Sequence, residues 1–243
     1  MSGLRVISGT AKGRKLKTVP GPGTRPIADR VKESLFNILG ADVEGAAILD
    51  LFAGTGGVGI EALSRGAARA TFVDSDRLAA KTIAENLRAT GLAARARVVR
   101  TDVFIYLRND PRDAFDYVHI APPQYQQLWA ETLRALDARP GWVNPDGVAV
   151  AQIHPREFVE LPLQNFELVD QRKYGSTLLC FYERRGELDK LPTCPVMQMT
   201  VMARWHDGLS FPAVRLSSRH DPGCPCSLAT ARSLCDACCS IHL

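Results

Sequence analysis

From Ala46 onward, short apolar runs alternate with stretches whose apolar residues recur every three or four positions. That pattern predicts strands over 47–52, 70–74, 96–100, 115–120, 148–153, 165–172 and 176–183, and helices over 58–66, 76–90, 102–109 and 126–139. Strands separated by helical segments imply a parallel sheet covered on both faces. Only Lys173-Tyr-Gly175 lies between the last two strands. No crossover helix fits in that space, so those two strands pair antiparallel. The predicted fold class is α/β, with a Rossmann-like, mostly parallel seven-stranded sheet that ends in an antiparallel hairpin.

Ahead of this pattern, Leu4–Ser8 and Arg14–Val19 flank Gly9-Thr-Ala-Lys-Gly13 and predict a basic hairpin. Pro20-Gly-Pro-Gly-Thr24 breaks the chain. Val31, Leu35, Phe36, Ile38 and Leu39 then fall at helical spacing, which predicts a helix over 28–39 with Gly40 as its stop. After Arg185 the periodicity ends. The chain thus divides into a basic hairpin and helix (1–40), a Rossmann-like domain (41–186) and a poorly ordered cysteine-rich tail (187–243).

Charge changes this picture at the N-terminus. The net charge is only +4, yet residues 1–32 hold eight basic residues against the single acid Asp29. Arg5, Lys12, Arg14, Lys15 and Lys17 are the candidate contacts to a nucleic-acid backbone. No apolar run has the ~18–20 residues that cross a bilayer, and the first residues have no secretory pattern. A cytoplasmic location with no membrane partner is expected. Six of the seven cysteines follow residue 190. Cys235 and Cys238 have a zinc-ligand spacing, but the second such pair of a structural zinc site is missing, and no metal ligand is assigned.

The chemistry concentrates at two strand ends. Ile48-Leu-Asp-Leu-Phe-Ala-Gly-Thr-Gly-Gly-Val-Gly59 reads as a buried strand, a glycine-rich turn and a helix start. Such a turn lets a ligand approach backbone N–H groups closely. Asp50 precedes the first glycine by four residues and offers an acceptor to an ammonium group. A carboxylate beside a glycine turn suits a cofactor with an amino-acid end, and S-adenosylmethionine fits. Phe52, Ala53, Gly54, Thr55 and Gly56 would line that end. Asp74 closes the next strand, placed for ribose hydroxyls. Asp76 reads as a helix cap. Asp102 offers either an acceptor for the adenine amino group or a second cap.

The second strand end is Phe115-Asp-Tyr-Val-His-Ile-Ala-Pro-Pro-Gln-Tyr125. Enzymes that methylate exocyclic amines use Asp/Asn-Pro-Pro-Tyr/Phe at such a place. There the acid or amide oxygen and a turn carbonyl accept from the amine, and the ring stacks on the base. In this chain Ala121 has no acceptor, Pro122 and Pro123 keep the turn, Gln124 offers an amide oxygen, and the ring sits at Tyr125. His119, alone in an apolar strand, reads as a core residue.

With these residues in view, the chain resembles the RsmD-type 16S ribosomal RNA guanine-N2 methyltransferases over about residues 4–185. The most specific matches are Arg5-Val-Ile-Ser-Gly9 with Gly13-Arg-Lys-Leu16, Thr24-Arg-Pro26 with Val31-Lys-Glu33, and Leu35-Phe-Asn37. Asp50–Gly57, Gly59, Glu61–Gly66, Phe72-Val-Asp74 and Asp76-Arg77 extend the match. The resemblance implies S-adenosylmethionine as donor, and as acceptor a guanine amine of 16S rRNA in the small ribosomal subunit or its assembly intermediate. It implies that Arg25 and Pro26 line the cofactor entrance and that the basic hairpin grips rRNA, with the enzyme acting as a monomer. Ala121 and Gln124 depart from the family motif, and the tail has no counterpart. Two further readings stay open: an RNA- or ribosome-associated protein that binds the cofactor with weakened turnover, and a methyltransferase for another amine.

Overall fold

A computed structural model describes residues 4–20 and 27–186 of the 243. Helix α1 (Asp29–Leu39) leads into β1 (Ala47–Leu51), α2 (Gly57–Ser64), β2 (Arg69–Asp74), α3 (Arg77–Thr90) and β3 (Ala96–Arg100). Then follow α4 (Val103–Arg108), β4 (Phe115–Ile120), α5 (Leu128–Ala138), β5 (Val143–Ile153), β6 (Phe166–Tyr174) and β7 (Thr177–Arg184). Seven strands form one sheet in the order β3-β2-β1-β4-β5-β7-β6. The first five pair in parallel, and β7 pairs antiparallel with both β5 and β6. The mostly parallel sheet and terminal hairpin expected from the apolar pattern are both present.

The order reverses between β1 and β4. In an open α/β sheet such a reversal leaves a crevice beyond the strands' carboxyl ends. The glycine-rich turn leaves β1 there and the Pro-Pro turn leaves β4. The central strand Ala47–Leu51 is buried at every position because helices cover both faces. On one face α1, α2 and α3 bring Leu35, Phe36, Ile60, Leu63 and Ile83 against Ile48, Phe72 and Val150. On the other, α4 and α5 bring Leu107, Trp129, Leu133 and Leu136 against Leu49, Leu51, Val118 and Ile120.

Two element bounds differ from expectation for local reasons. Strand β5 starts at Val143, five residues before the predicted 148, because the register jumps between the Phe115–Val143 and Tyr117–Val148 pairs. Asp116 supports that irregularity by accepting from Ala47 N at 2.7 Å and from Asn144 Nδ2 at 2.6 Å. Helix α5 starts at Leu128, because Tyr125 and Gln127 have left-handed backbone (φ 64° and 57°).

The N-terminal hairpin is a minimal one, closed by a single antiparallel bridge from Arg5 to Lys15. It shares the main core. Val6, Ala11 and Leu16 are buried in the same cluster as α1, α2 and α3, so residue 40 divides segments that pack together. Glu61 of α2 holds this extension. Its carboxylate accepts from Ile7 N at 2.8 Å, Ser8 N at 2.9 Å and Arg65 Nε at 2.9 Å, and faces Lys32 Nζ at 3.4 Å. Lys32 and Glu61 are fully buried, so Lys32 leaves the set of basic residues open to a partner. Burial lowers the Lys32 pKa despite the facing carboxylate. The bond from Lys32 Nζ to Arg5 O at 2.6 Å completes the cluster.

Removing one side of a buried ion pair strands the other charge, at about 3–5 kcal/mol. Glu61→Ala is expected to lose stability of about that size in urea denaturation, and to open residues 4–19 to proteolysis. Lys32→Met should cost less, since Glu61 keeps Arg65 and two backbone donors. Equal losses from the two substitutions would show that the charge pair, rather than the backbone anchoring, carries the effect.

Candidate functional site

The glycine-rich turn is built by backbone conformation and by four polar side chains. Phe52 has φ 58°, a conformation uncommon outside glycine, and Gly54 and Gly56 follow at 55° and 74°. Left-handed residues in close succession fold the chain from the end of β1 into the first turn of α2. Asp50 lies below the turn and is 2% exposed. Its Oδ2 accepts from Gly59 N at 3.2 Å, and its Oδ1 lies 2.9 Å from His119 Nδ1. A carboxylate at that distance places the proton on Nδ1. Both oxygens thus work inward, shaping the turn and bracing it against β4. These two bonds hold the carboxylate under the turn, and each oxygen keeps a further acceptor position.

Asp74 ends β2 on the same rim. Its Oδ2 accepts from Gly54 N at 2.8 Å and its Oδ1 from Asp76 N at 2.9 Å. Burial raises the carboxyl above its ordinary value. Asn86 of α3, nearly fully buried, donates to Thr55 O at 3.0 Å and Lys17 O at 3.1 Å, and accepts from Lys17 N at 2.7 Å. One side chain therefore links the glycine turn to the basic extension. His119 and Asn86 are positioning residues that the sequence did not reveal. Each sits inside an apolar period, and only the cross-strand or tertiary contact exposes its role. Asp76 and Asp102 cap helices as their spacing suggested. Asp102 does so through Oδ1, which accepts from Phe104 N and Ile105 N at 2.8 and 3.0 Å.

Across the switch point, Ala121 and Pro122 are half-buried and Pro123, Gln124 and Tyr125 are exposed. Tyr125 is 66% exposed, its ring 5.4 Å from that of His154. Its strained backbone is held by Glu157, which accepts from Tyr125 N at 2.6 Å and from His154 N at 3.2 Å. The two motif turns therefore leave the carboxyl ends of adjacent parallel strands, and the second presents an exposed aromatic ring. A recess of about 450 Å³ between α4 and α5, lined by Asp102, Leu107, Glu131 and Arg139, lies in the opposite layer and touches neither turn.

In the extension, Arg5 pairs with Asp29 at 3.4 Å, Lys17 pairs with Glu85 at 2.8 Å, and Arg14 donates to Ala89 O. Lys12 and Lys15 are exposed and make no ion pair among the described residues. Arg25, Pro26 and the cysteine-rich tail lie outside the described residues.

A family model described as conserved hypothetical protein 95 matches residues 4–183. The chain belongs to this family. Its relatives include the Ribosomal RNA small subunit methyltransferase D of Escherichia coli, 35% identical over 190 residues that cover 76% of this chain and 93% of the relative. A Bacillus subtilis protein provisionally named as an rRNA methyltransferase, YlbH, is 43% identical and covers 75% of this chain and 100% of its own. Among solved structures, a methyltransferase-type protein of Escherichia coli, yhhF, superposes with a TM-score of 0.68 at 33% identity, covering 76% of this chain and 99% of that one. The expected family resemblance is borne out, and this member of the family is a methyltransferase. The family match ends at residue 183, close to where the apolar periodicity ends.

The family fold needs α2 close to the sheet, and Gly59 permits it. A Cβ on Gly59 would lie 2.4 Å from Phe72 Cε1, in a ring with no exposure. Gly59→Ala is expected to lower stability by about 1–3 kcal/mol through overpacking. A urea midpoint unchanged from the parent would refute that close packing.

Proposed function

We propose that this chain transfers a methyl group from S-adenosylmethionine to the exocyclic N2 amine of a guanine in 16S rRNA, acting as a cytoplasmic monomer on the small ribosomal subunit or its assembly intermediate. The observation that carries this reading is the meeting of the two motif turns at the β1–β4 switch point in a chain of this family.

The residues present fit the cofactor. Asp74 presents a desolvated carboxylate on the rim, which the two ribose hydroxyls would satisfy. The Phe52–Gly56 turn would hold the methionine end, its shape set from below by Asp50 and His119. Asp102 retains Oδ2 for the adenine amine while Oδ1 caps α4. By the resemblance, Arg25 and Pro26 would line the entrance. When bound, the donor supplies an electrophilic methyl group on a sulfonium. The protein must then orient an amine lone pair toward that methyl and exclude competing water. Turn carbonyls at Pro122 and Pro123 would accept from the amine, with Gln124 beside them, and Tyr125 would stack on the base. Lys12 and Lys15 would meet rRNA phosphate directly, whereas Arg5, Arg14 and Lys17 also fasten the extension to the domain.

The test is calorimetric binding of S-adenosylmethionine together with methyl transfer to small-subunit particles that lack the modification, followed by nucleoside analysis. N2-methylguanosine is the expected product. Binding without transfer would favour the cofactor-binding ribosome-associated reading that Ala121 motivates. Preferential labelling of another amine, such as adenine in duplex DNA, would favour the third reading.

Asp74 makes a second test. Asp74→Ala should weaken cofactor affinity about 100-fold, as for two hydrogen bonds to a charged group. Affinity should also fall on acidification, starting above the ordinary aspartate range, because protonation removes the acceptor. The free chain should respond with the opposite sign. A carboxyl whose folded pKa is raised binds its proton more tightly when folded, so acidification through that pKa adds stability. Asp74→Asn should abolish both dependences. Persistence of either in that variant would assign it to another group.

A further inference from the structure

Ala121 presents a methyl group where an amine-directed site needs an acceptor, and the neighbouring strand carries one. Ile120 pairs with Ala151 in the parallel β4–β5 register. Ala121 directly follows that pair, and its N–H still bonds β1, donating to Leu51 O at 3.4 Å. One further step of register therefore sets Gln152 beside Ala121. Alternation along the strand gives Gln152 the face of Val150, and the same alternation gives Ala121 the face of His119. His119 itself pairs with Asp50 on one side and Val150 on the other. Asp50, His119, Ala121 and Gln152 thus belong to one face of the sheet at its carboxyl edge. Leu179, opposite Gln152 on β7, belongs to the core on that face.

The side-chain oxygen of Gln152 is shielded from solvent and has no hydrogen-bond partner among the described residues. Leaving a buried acceptor unpaired costs about 1–3 kcal/mol, so such an atom calls for a reason. The other polar groups near Ala121 fit the role less well. Gln124 is exposed on the turn. His119 Nε2 is also unpaired, but His119 lines a small apolar cavity with Leu35, Phe36, Val58 and Ala62, beneath α1 and α2.

We propose that Gln152 is a catalytic residue whose carboxamide oxygen accepts from the target exocyclic amine, in place of the side chain absent at Ala121. The assignment rests on the methyl-transfer reading given above. The bond to Gln152 fixes the amine so that its nitrogen lone pair faces the methyl carbon. That pair forms the new N–C bond as the C–S pair returns to sulfur, and the surplus amine proton leaves to water. A neutral amide oxygen orients the donor and stabilises its developing positive charge without taking the proton. Gln152 is only half-buried, so its carboxamide can turn toward the arriving amine, which then supplies the partner the oxygen lacks in the free protein.

The test compares Gln152→Met, similar in length and without an acceptor, with the parent chain on unmodified small-subunit particles. Loss of one preorganised contact should lower kcat about 10²–10³-fold. Cofactor affinity should stay within about twofold, and the urea midpoint should be unchanged or raised, because an orphaned polar atom has been removed. Adding Ala121→Asn to Gln152→Met should restore kcat at least about tenfold by returning an acceptor to the same face. A Gln152→Met chain that turns over within about threefold of the parent overturns the assignment alone. Parallel loss of cofactor affinity, or a lowered urea midpoint, also overturns it, in favour of a cofactor-binding or structural role. A parent chain that transfers no methyl group overturns the underlying reading, and the assignment with it.

Discussion

Glu61 sits near the middle of α2, and the beginning of that helix is the end of the glycine turn. Its carboxylate holds Ile7 N, Ser8 N and Arg65 Nε, with Lys32 Nζ buried opposite. Two charged groups in a dry interior are tolerable only when their bonding capacity is filled, and the extension supplies the groups that fill it. The residues that lead into the basic hairpin are therefore part of what makes the ion cluster stable. Ser64, at the end of the same helix, adds a bond from Ala11 N and one to Ser8 O. Gly9 fits beside it, where a Cβ would meet Ser64 O at 1.8 Å. The arm that carries Lys12 and Lys15 is thus fixed to the helix that the glycine turn leads into.

Asn86 makes a second connection of the same kind, joining Lys17 to Thr55. With both links in place, ordering of the turn and placement of the arm are mechanically related. On the far side of the crevice, Glu157 does comparable work by holding the left-handed Tyr125 to the segment after β5. Phe52, Tyr125 and Gln127 all hold backbone conformations that non-glycine residues seldom adopt. They fall on the two turns that face each other across the switch point. A fourth such residue, Asp146 (φ 63°), lies apart from both turns, in the irregular first part of β5.

Much of this was legible from periodicity. The elements lie close to where apolar spacing put them, and Lys173-Tyr-Gly175 sufficed to predict the antiparallel end of the sheet. The caps at Asp76 and Asp102 were legible too, because capping is decided within three residues. What stayed hidden was decided across strands. Asp50 reads as a ligand residue from its place before the glycines, and only the fold shows that its oxygens also bind Gly59 and His119. Lys32 looks like part of a basic arm, yet it is buried against Glu61. His119 and Asn86 each look like a polar interruption of an apolar face. In all four, the deciding partner lies 9 to 69 residues away in sequence or is known only from packing. The irregular start of β5 escaped because Pro145 and Gly147 argue against a strand locally, whereas Asp116 supports one from the adjacent strand.

The departure at Ala121 shows where a motif stops being informative. A methyl acceptor has to be met by an oxygen at a place in space, and that place is bordered by two strands. A parallel register fixes which residue of β5 stands beside each residue of β4, so an acceptor lost from one strand can be supplied by the other with no change of backbone. The sequence interval between Ala121 and Gln152 includes a whole helix, and no motif of ordinary length spans it. The unpaired oxygen of Gln152 and the missing oxygen at Ala121 are complementary irregularities, each one residue beyond the Ile120–Ala151 pair. Each alone reads as a defect, one in the chemistry and one in the packing. Taken together they describe one site in which the strand that carries the motif provides the turn and its neighbour provides the acceptor.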